Sequence, residues 1–187
     1  MPAPLRVLFS AGHSGAWRID RISPVIGDAL PGAARLAVHT APDMPAAMSE
    51  GAAPAWILAG TTSNLRYTTG AEADALKARQ EGLGRAAATR AALIPIRKTQ
   101  AWWDLAQDER RAIFEERSRH IGIGLDYLPA VARRLHHARE LGEPFDFLTW
   151  FEYAPEHAGA FEDMVDKLRR TEEWRYVERE VDIRLSA

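Results

Sequence analysis

From Ala91 to the end of the chain, apolar and polar positions recur in blocks that switch between two periods. Ala91–Arg97 is an almost unbroken apolar run and predicts a strand. From Trp102 to Arg119, Trp103, Ala106, Arg110, Ile113, Phe114 and Arg117 recur at helical spacing, predicting an amphipathic helix that ends at His120. Val131, Arg133, Leu135 and His137 share one face of the next strand. Phe145, Phe147, Thr149, Phe151 and Tyr153 share one face of the strand after it, with Leu141–Pro144 as a hairpin-type connection. Pro155 opens a helix whose stripe is Ala158, Phe161, Met164, Val165 and Leu168, and Arg169 and Arg170 suit its negative end. Val177, Val181, Ile183 and Leu185 then alternate with Glu178, Glu180, Asp182 and Arg184, predicting a half-exposed strand. The order is βαββαβ, that of a ferredoxin-like unit, in which two helices cover one side of an antiparallel sheet.

The first half carries weaker patterning. Leu5–Phe9 predicts a strand that Trp17–Ile19 continues or pairs with, and Ser23-Pro24 predicts a short helix through about Leu30. Ala34–His39 predicts a strand, Ala41–Pro54 a loop, and Ala55–Tyr67 a long strand region. Gly70–Gln80 predicts a helix closed by Gly82 and Gly84, a helix cap whose spacing fits neither of the common phosphate-binding loops. The expected fold is therefore α+β, with two ferredoxin-like units side by side as a dimeric α+β barrel type. Residues 1–90 form a smaller, reduced unit and residues 91–187 the fuller one.

Composition narrows the chemistry. With net charge −2 and Lys and Arg spread throughout, the chain has no electrostatic footprint for nucleic acid or an anionic membrane, so any basic cluster acts locally. The absence of cysteine excludes disulfides, zinc–thiolate sites, iron–sulfur clusters and thiolate-ligated haem. No segment reaches membrane-spanning length, and the first residues lack a signal-peptide pattern, so a cytoplasmic protein is expected. Lys98 precedes the Trp102–Trp103 pair, which reads either as core filling or as a clamp for an acid group above a flat ring. Arg133, on an apolar strand face, either pairs with a glutamate or stands as a fixed charge facing a cavity. His120 reads either as a helix-end residue or as a ligand, and no two-His spacing suggests zinc. Glu172 and Glu173 read as a solvated helix-end pair.

The run IPIRKTQAWWDLAQDERRAIFEERSRHIGIGLDYLPAVARRLHHARELGEPFDFLTWFEYAPEHAGAFED, with TEEWRYVEREVDIRLS, resembles the short-chain branch of the chlorite dismutases. QEGLGRAAATRAALIPIR extends the resemblance, whereas residues 1–70 match only in length and in the phrases AGHSGAW and SPVIGDAL. The resemblance implies a homodimeric α+β protein holding one haem b in its C-terminal part. His120 would be the iron ligand, and Glu173 would accept the imidazole's other ring hydrogen. Arg133 would be the distal arginine, Gln80 a neighbour that restrains it, and Lys98, Trp102 and Trp103 part of the haem cradle. The implied reaction converts the small anion chlorite to chloride and dioxygen through a ferryl intermediate and a retained hypochlorite. Two alternatives stay open. One is a haem-binding or sensing protein without turnover. The other is a coproheme decarboxylase, whose pattern has a tyrosine where this chain has Ile94.

Overall fold

The computed structural model describes residues 4–40, 53–62, 68–79 and 81–187. Eight strands run in chain order: β1 (Arg6–Gly12), β2 (Trp17–Ile26), β3 (Arg35–Thr40), β4 (Trp56–Thr62), β5 (Arg90–Lys98), β6 (Val131–His137), β7 (Phe147–Tyr153) and β8 (Val177–Ser186). They close into an antiparallel barrel in the order β1-β3-β2-β8-β5-β7-β6-β4. The two halves share one internal order, β4-β1-β3-β2 and β8-β5-β7-β6. They join along β2 and β8, where Ile22 lies opposite Ile183, and along β4 and β6, where Thr61 lies opposite His137. At that second seam a Cβ on Gly60 would meet the His136 Cβ at 2.7 Å, so only glycine permits the approach.

Strand alternation sorts the apolar residues into two cores. Phe9, Leu58, Leu93, Phe145, Leu148, Trp150, Ile183 and Leu185 pack inside the barrel. Ala92, Ile94, Ile96, Phe147, Phe151 and Tyr153 point outward and are covered by Phe161, Met164, Val165 and Leu168. Those four belong to helix α5, which runs from Ala158 to Arg169, so its predicted stripe is the face that packs. Burying each such side chain contributes about 1.5–3 kcal/mol, which outweighs the helix's own marginal propensity. The other helices are α1 (Gly70–Arg79), α2 (Gln100–Asp104), α3 (Gln107–Arg111) and α4 (His120–Asp126). Among the described residues no helix is long and apolar enough to cross a membrane.

Five expectations change. Trp17–Ile19 does not continue or pair with the first strand, since β2 pairs with β3 and β8 while β1 lies between β3 and β4. The segment from Ser23 is part of β2, not a helix: Ser23 lies opposite Asp182 and Pro24 opposite Val181. Two register shifts, at Ile19/Arg21 and Pro24/Ile26, accommodate the proline, so sheet pairing overrides a good local helix start. The helix expected through Arg119 is broken into α2, α3 and a π-helical turn over Ala112–Arg117. His120 therefore opens α4 instead of ending its predecessor. Strand β8 is buried on both faces, because Glu180, Asp182 and Arg184 lie beneath α5 in an ion network. Phe145 precedes β7 and turns into the barrel, away from Phe147. The expected loop over 41–52, the end of the strand region at 63–67, and Gln80 lie outside the described residues.

Candidate active site

The site grows from the break before α4. Arg119 has φ 50°, in the left-handed region, which ends the π-helical turn and starts a new helical axis at His120. Glu115 secures this turn by accepting bonds from the backbone N–H groups of Ile121 (2.6 Å) and Gly122 (3.2 Å), which have no partner within the helix. Phe114 stacks on the His120 ring with centroids 4.4 Å apart and so limits its rotation.

His120 Nδ1 lies 2.6 Å from Glu173 Oε2. A carboxylate only accepts, so Nδ1 carries the hydrogen, and Nε2 is the ring nitrogen that Glu173 does not engage. The imidazole remains 23% exposed while Glu173 is 3% exposed, so the ring bridges the buried carboxylate to accessible space. Glu173's other oxygen takes a bond of 2.7 Å from Lys98 Nζ, and its backbone N–H donates to Ser118 Oγ at 2.9 Å. Burial opposes the charge on Glu173, but Lys98 and His120 together outweigh it and bring its pKa down to about 2. Glu173 is thus a buried hub, not a member of a solvated pair.

Lys98 has its own fixed place. Its side chain is 1% exposed, and Nζ lies 4.4 Å from the centroid of the fully buried Trp102 ring and 5.6 Å from that of Trp174. A clamp reaching a ligand's acid group is not what this geometry builds, because the ammonium is committed to Glu173 and to the indole faces. Trp103 turns the other way. It stacks on Phe147, donates from Nε1 to Asp146 at 3.3 Å, and carries the Arg139 guanidinium 4.0 Å above its ring. Asp146 also accepts from the Lys98 backbone at 2.7 Å, joining the two tryptophan environments at the end of β5.

Arg133 lies on the outward face of β6, opposite Phe151 of β7. It is half-buried as a residue, with its guanidinium deep enough that burial pushes the pKa down to about 10, while the nearby Glu115 charge raises it. It therefore stays charged at neutral pH. The guanidinium lies against Gly124, one helical turn beyond His120, which brings the imidazole's helix and the arginine to one site. The structure thus assembles His120, Glu173, Lys98 and Trp102 as one cluster, and sets Arg133 against the same helix. Gln80 lies outside the described residues. Sequence patterning missed Glu115, Gly124 and Ser118. Glu115 is coupled to α4 across a left-handed residue, a spacing that no ordinary capping pattern contains.

The fold and this site define an α+β barrel protein that presents one oriented imidazole nitrogen beside a fixed cation. The chlorite dismutase pattern matches residues 44–187, and the chain belongs to that family. A dimeric chlorite dismutase from Nitrobacter winogradskyi is 58% identical and superposes with a TM-score of 0.87 over 97% of this chain and 99% of that one. Chlorite dismutase from Ideonella dechloratans is 32% identical over 84 residues, which are 45% of this chain. That match spans only 27% of the relative's length. Chlorite dismutase from Candidatus Nitrospira defluvii, solved with imidazole, shares the fold at 20% identity, with a TM-score of 0.69 over 98% of this chain and 91% of that one.

Proposed function

We propose that this chain is a haem b-dependent chlorite dismutase that converts chlorite to chloride and dioxygen. The observation that carries this reading is the Lys98–Glu173–His120 relay, which pins Nδ1 and leaves Nε2 as a single outward donor. Among the described residues no three His, Asp or Glu side chains converge as a site for a bare metal ion. One imidazole would suffice to hold an iron that brings its own macrocycle of ligands. The surroundings fit as well, since Phe114 stacks on the imidazole and limits its rotation.

When bound, the haem iron would supply the electron transfer that cleaves the chlorine–oxygen bond. His120 would hold that iron, and Glu173, by accepting the Nδ1 hydrogen, would orient the ring and strengthen its donor nitrogen. Lys98 would act one step further out by keeping Glu173 ionised. Arg133 would attract the chlorite anion and keep the chlorine-bearing anion within reach until dioxygen forms. The reaction balances without a further reactant, since one chlorite yields one chloride and one dioxygen.

Ile94 carries no hydroxyl, so the decarboxylase reading lacks the residue its pattern requires. The dimeric relative from Nitrobacter winogradskyi supports a homodimer here, and the shared strand order of the two halves supports two ferredoxin-like units, 1–90 and 91–187. The test is an oxygen-electrode trace after adding chlorite to haem-loaded protein. Dioxygen release together with a Soret band supports the reading. A Soret band without dioxygen leaves a haem-binding protein, and no Soret band after haem addition overturns both.

A further inference from the structure

Arg90 and Lys98 are the first and last residues of β5, which at about 3.4 Å per residue sets them roughly 27 Å apart. The end that carries Arg90 holds chemistry that the His120 cluster does not use. Arg35 of β3 lies directly opposite Arg18 of β2, Arg18 opposite Ser186 of β8, and Ser186 opposite Arg90 of β5. Residues paired in this way share a face, and the inward packing of Leu36, Ala91 and Leu185 turns this row outward. Three guanidiniums and one hydroxyl thus form a row across four neighbouring strands, and the row crosses the β2–β8 seam between the two halves.

Like charges directly opposite one another on a sheet repel. Asp20 relieves part of that repulsion. It is the extra residue at the register shift between Ile19 and Arg21, and its carboxylate lies 2.8 Å from Arg18, 3.6 Å from Arg90 and 3.0 Å from Ser186 Oγ. Among the described residues Arg35 has no carboxylate partner and makes one hydrogen bond, to the Gly15 carbonyl oxygen at 3.2 Å. A cavity of about 420 Å³ opens over the row, lined by Arg18, Arg35, Thr89, Arg90, Ser186 and Ala187. Asp20 is not on its surface. Even with an α-carboxylate at Ala187, the lining carries three cations against one anion.

We infer that this cavity is a second anion site, separate from the proposed haem site, and that it takes a small diphosphate. Arg18 and Arg35 stand one strand spacing apart, about 4.8 Å, and Arg90 stands two spacings beyond Arg18. One phosphate group therefore seats between the first two guanidiniums while the second reaches Arg90. Guanidinium forks match phosphate oxygens in pairs, and the Thr89 and Ser186 hydroxyls add donors that a phosphate can use. The cavity has the size of a small-molecule site. A ligand held there would bridge β3 and β2 to β5, and so would tie the two halves of the barrel together.

The test is isothermal titration of the full-length protein with pyrophosphate at fixed ionic strength, with thermal unfolding followed alongside. One saturable site per chain is expected, together with a raised Tm, because a ligand that binds only the folded state stabilises it. Arg35→Gln and Arg90→Gln should each weaken binding roughly tenfold or more, the scale of losing a hydrogen bond to a charged group. Arg170→Gln, which removes an exposed arginine at the end of α5, should bind like the unaltered protein. Equal weakening in all three variants would mean diffuse attraction to a basic surface and overturns the inference. The absence of both saturable heat and a Tm shift in the unaltered protein overturns it too. Loss of a dimer's mass in Arg35→Gln, with no pyrophosphate bound by the unaltered protein, also overturns it and assigns the row to a contact between copies. If either row variant fails to fold by circular dichroism, the other gives the reading.

Discussion

Two groups of buried charge lie on the outward face of the C-terminal sheet, and they end differently. In the first, Glu173 is shared by Lys98 and His120, and the chain of contacts runs out through the imidazole to accessible space. In the second, Arg169 bridges Glu180 (2.7 Å) and Asp182 (2.8 Å), and Arg184 bonds Asp182 and Glu162, so the network ends on an exposed carboxylate whose two oxygens are both taken by Arg184. Trp174 stands between them, its Nε1 donating to Glu180 at 2.7 Å and its ring facing Lys98. In both groups burial opposes a carboxylate's charge and neighbouring cations more than offset it, so the pKa of Glu173 and of Asp182 falls. Burial and a shifted pKa therefore do not separate the carboxylate of the proposed haem site from a structural one. What separates them is whether the network terminates in a group with an uncommitted atom facing space.

The largest expected effect is His120→Ala, which should abolish stable haem uptake, read as loss of the Soret band on titration with haem. An unaltered spectrum would remove His120 as the iron ligand and erase the contrast. Next comes a matched pair. Glu173→Gln should lower stability by about 3–5 kcal/mol in urea unfolding, because it leaves the buried Lys98 ammonium poorly compensated, and Asp182→Asn by less, because Arg169 keeps Glu180 and Arg184 keeps Glu162. Only Glu173→Gln should also lower haem affinity, by roughly 10–100-fold, the usual cost of removing a ligand's hydrogen-bond partner. Equal losses of haem affinity in both variants would show that the two networks are not distinct in function.

A third measurement uses pH. His136 is buried, donates to the Leu148 carbonyl oxygen across 2.9 Å and accepts from Arg134. Burial is the largest cause lowering its pKa from 6.5 to about 4, with Arg134 and His137 adding to it and the Leu148 carbonyl opposing. The folded state thus resists a proton that the unfolded chain accepts. Stability should be unaffected by this group above pH 6.5 and should fall progressively as pH drops towards 4, below which the loss levels off. His136→Gln should flatten that slope in chemical unfolding measured across the range. The smallest effect belongs to Arg117→Ala, which breaks an exposed pair with Glu172 at 2.9 Å, beside the Glu173 hub in sequence. It should shift stability by no more than about 1 kcal/mol and leave haem affinity unchanged.

Where side-chain period alone decides the outcome, the sequence was legible. The stripe of α5 and the outward faces of β6 and β7 follow from spacing, since burial rewards the same periodicity that the backbone imposes. Long-range partners decided the failures. Ser23-Pro24 has good helix-start chemistry, but β8 offers a ladder that local patterning cannot foresee. The charged positions of β8 look solvated until Arg169 and the face of α5 close over them. At the site, no pattern tied Glu173 to His120 across a sequence separation of 53, and only family resemblance joined them. The same resemblance supplied a lysine beside the haem without its true contact, because the commitment of Lys98 to Glu173 is set by burial. Gly124 left no signal, because the arginine that lies across it comes from a different element.

Closure of the eight strands has one more consequence. Among the described residues every strand has a paired neighbour on each side, so none offers a fully open edge on which another chain could add a strand. Any self-association of this protein must therefore be written in side chains, which single substitutions can retune. Edge-to-edge polymerisation through the barrel is thereby disfavoured, even though the wall of that barrel is rich in β-branched and aromatic residues.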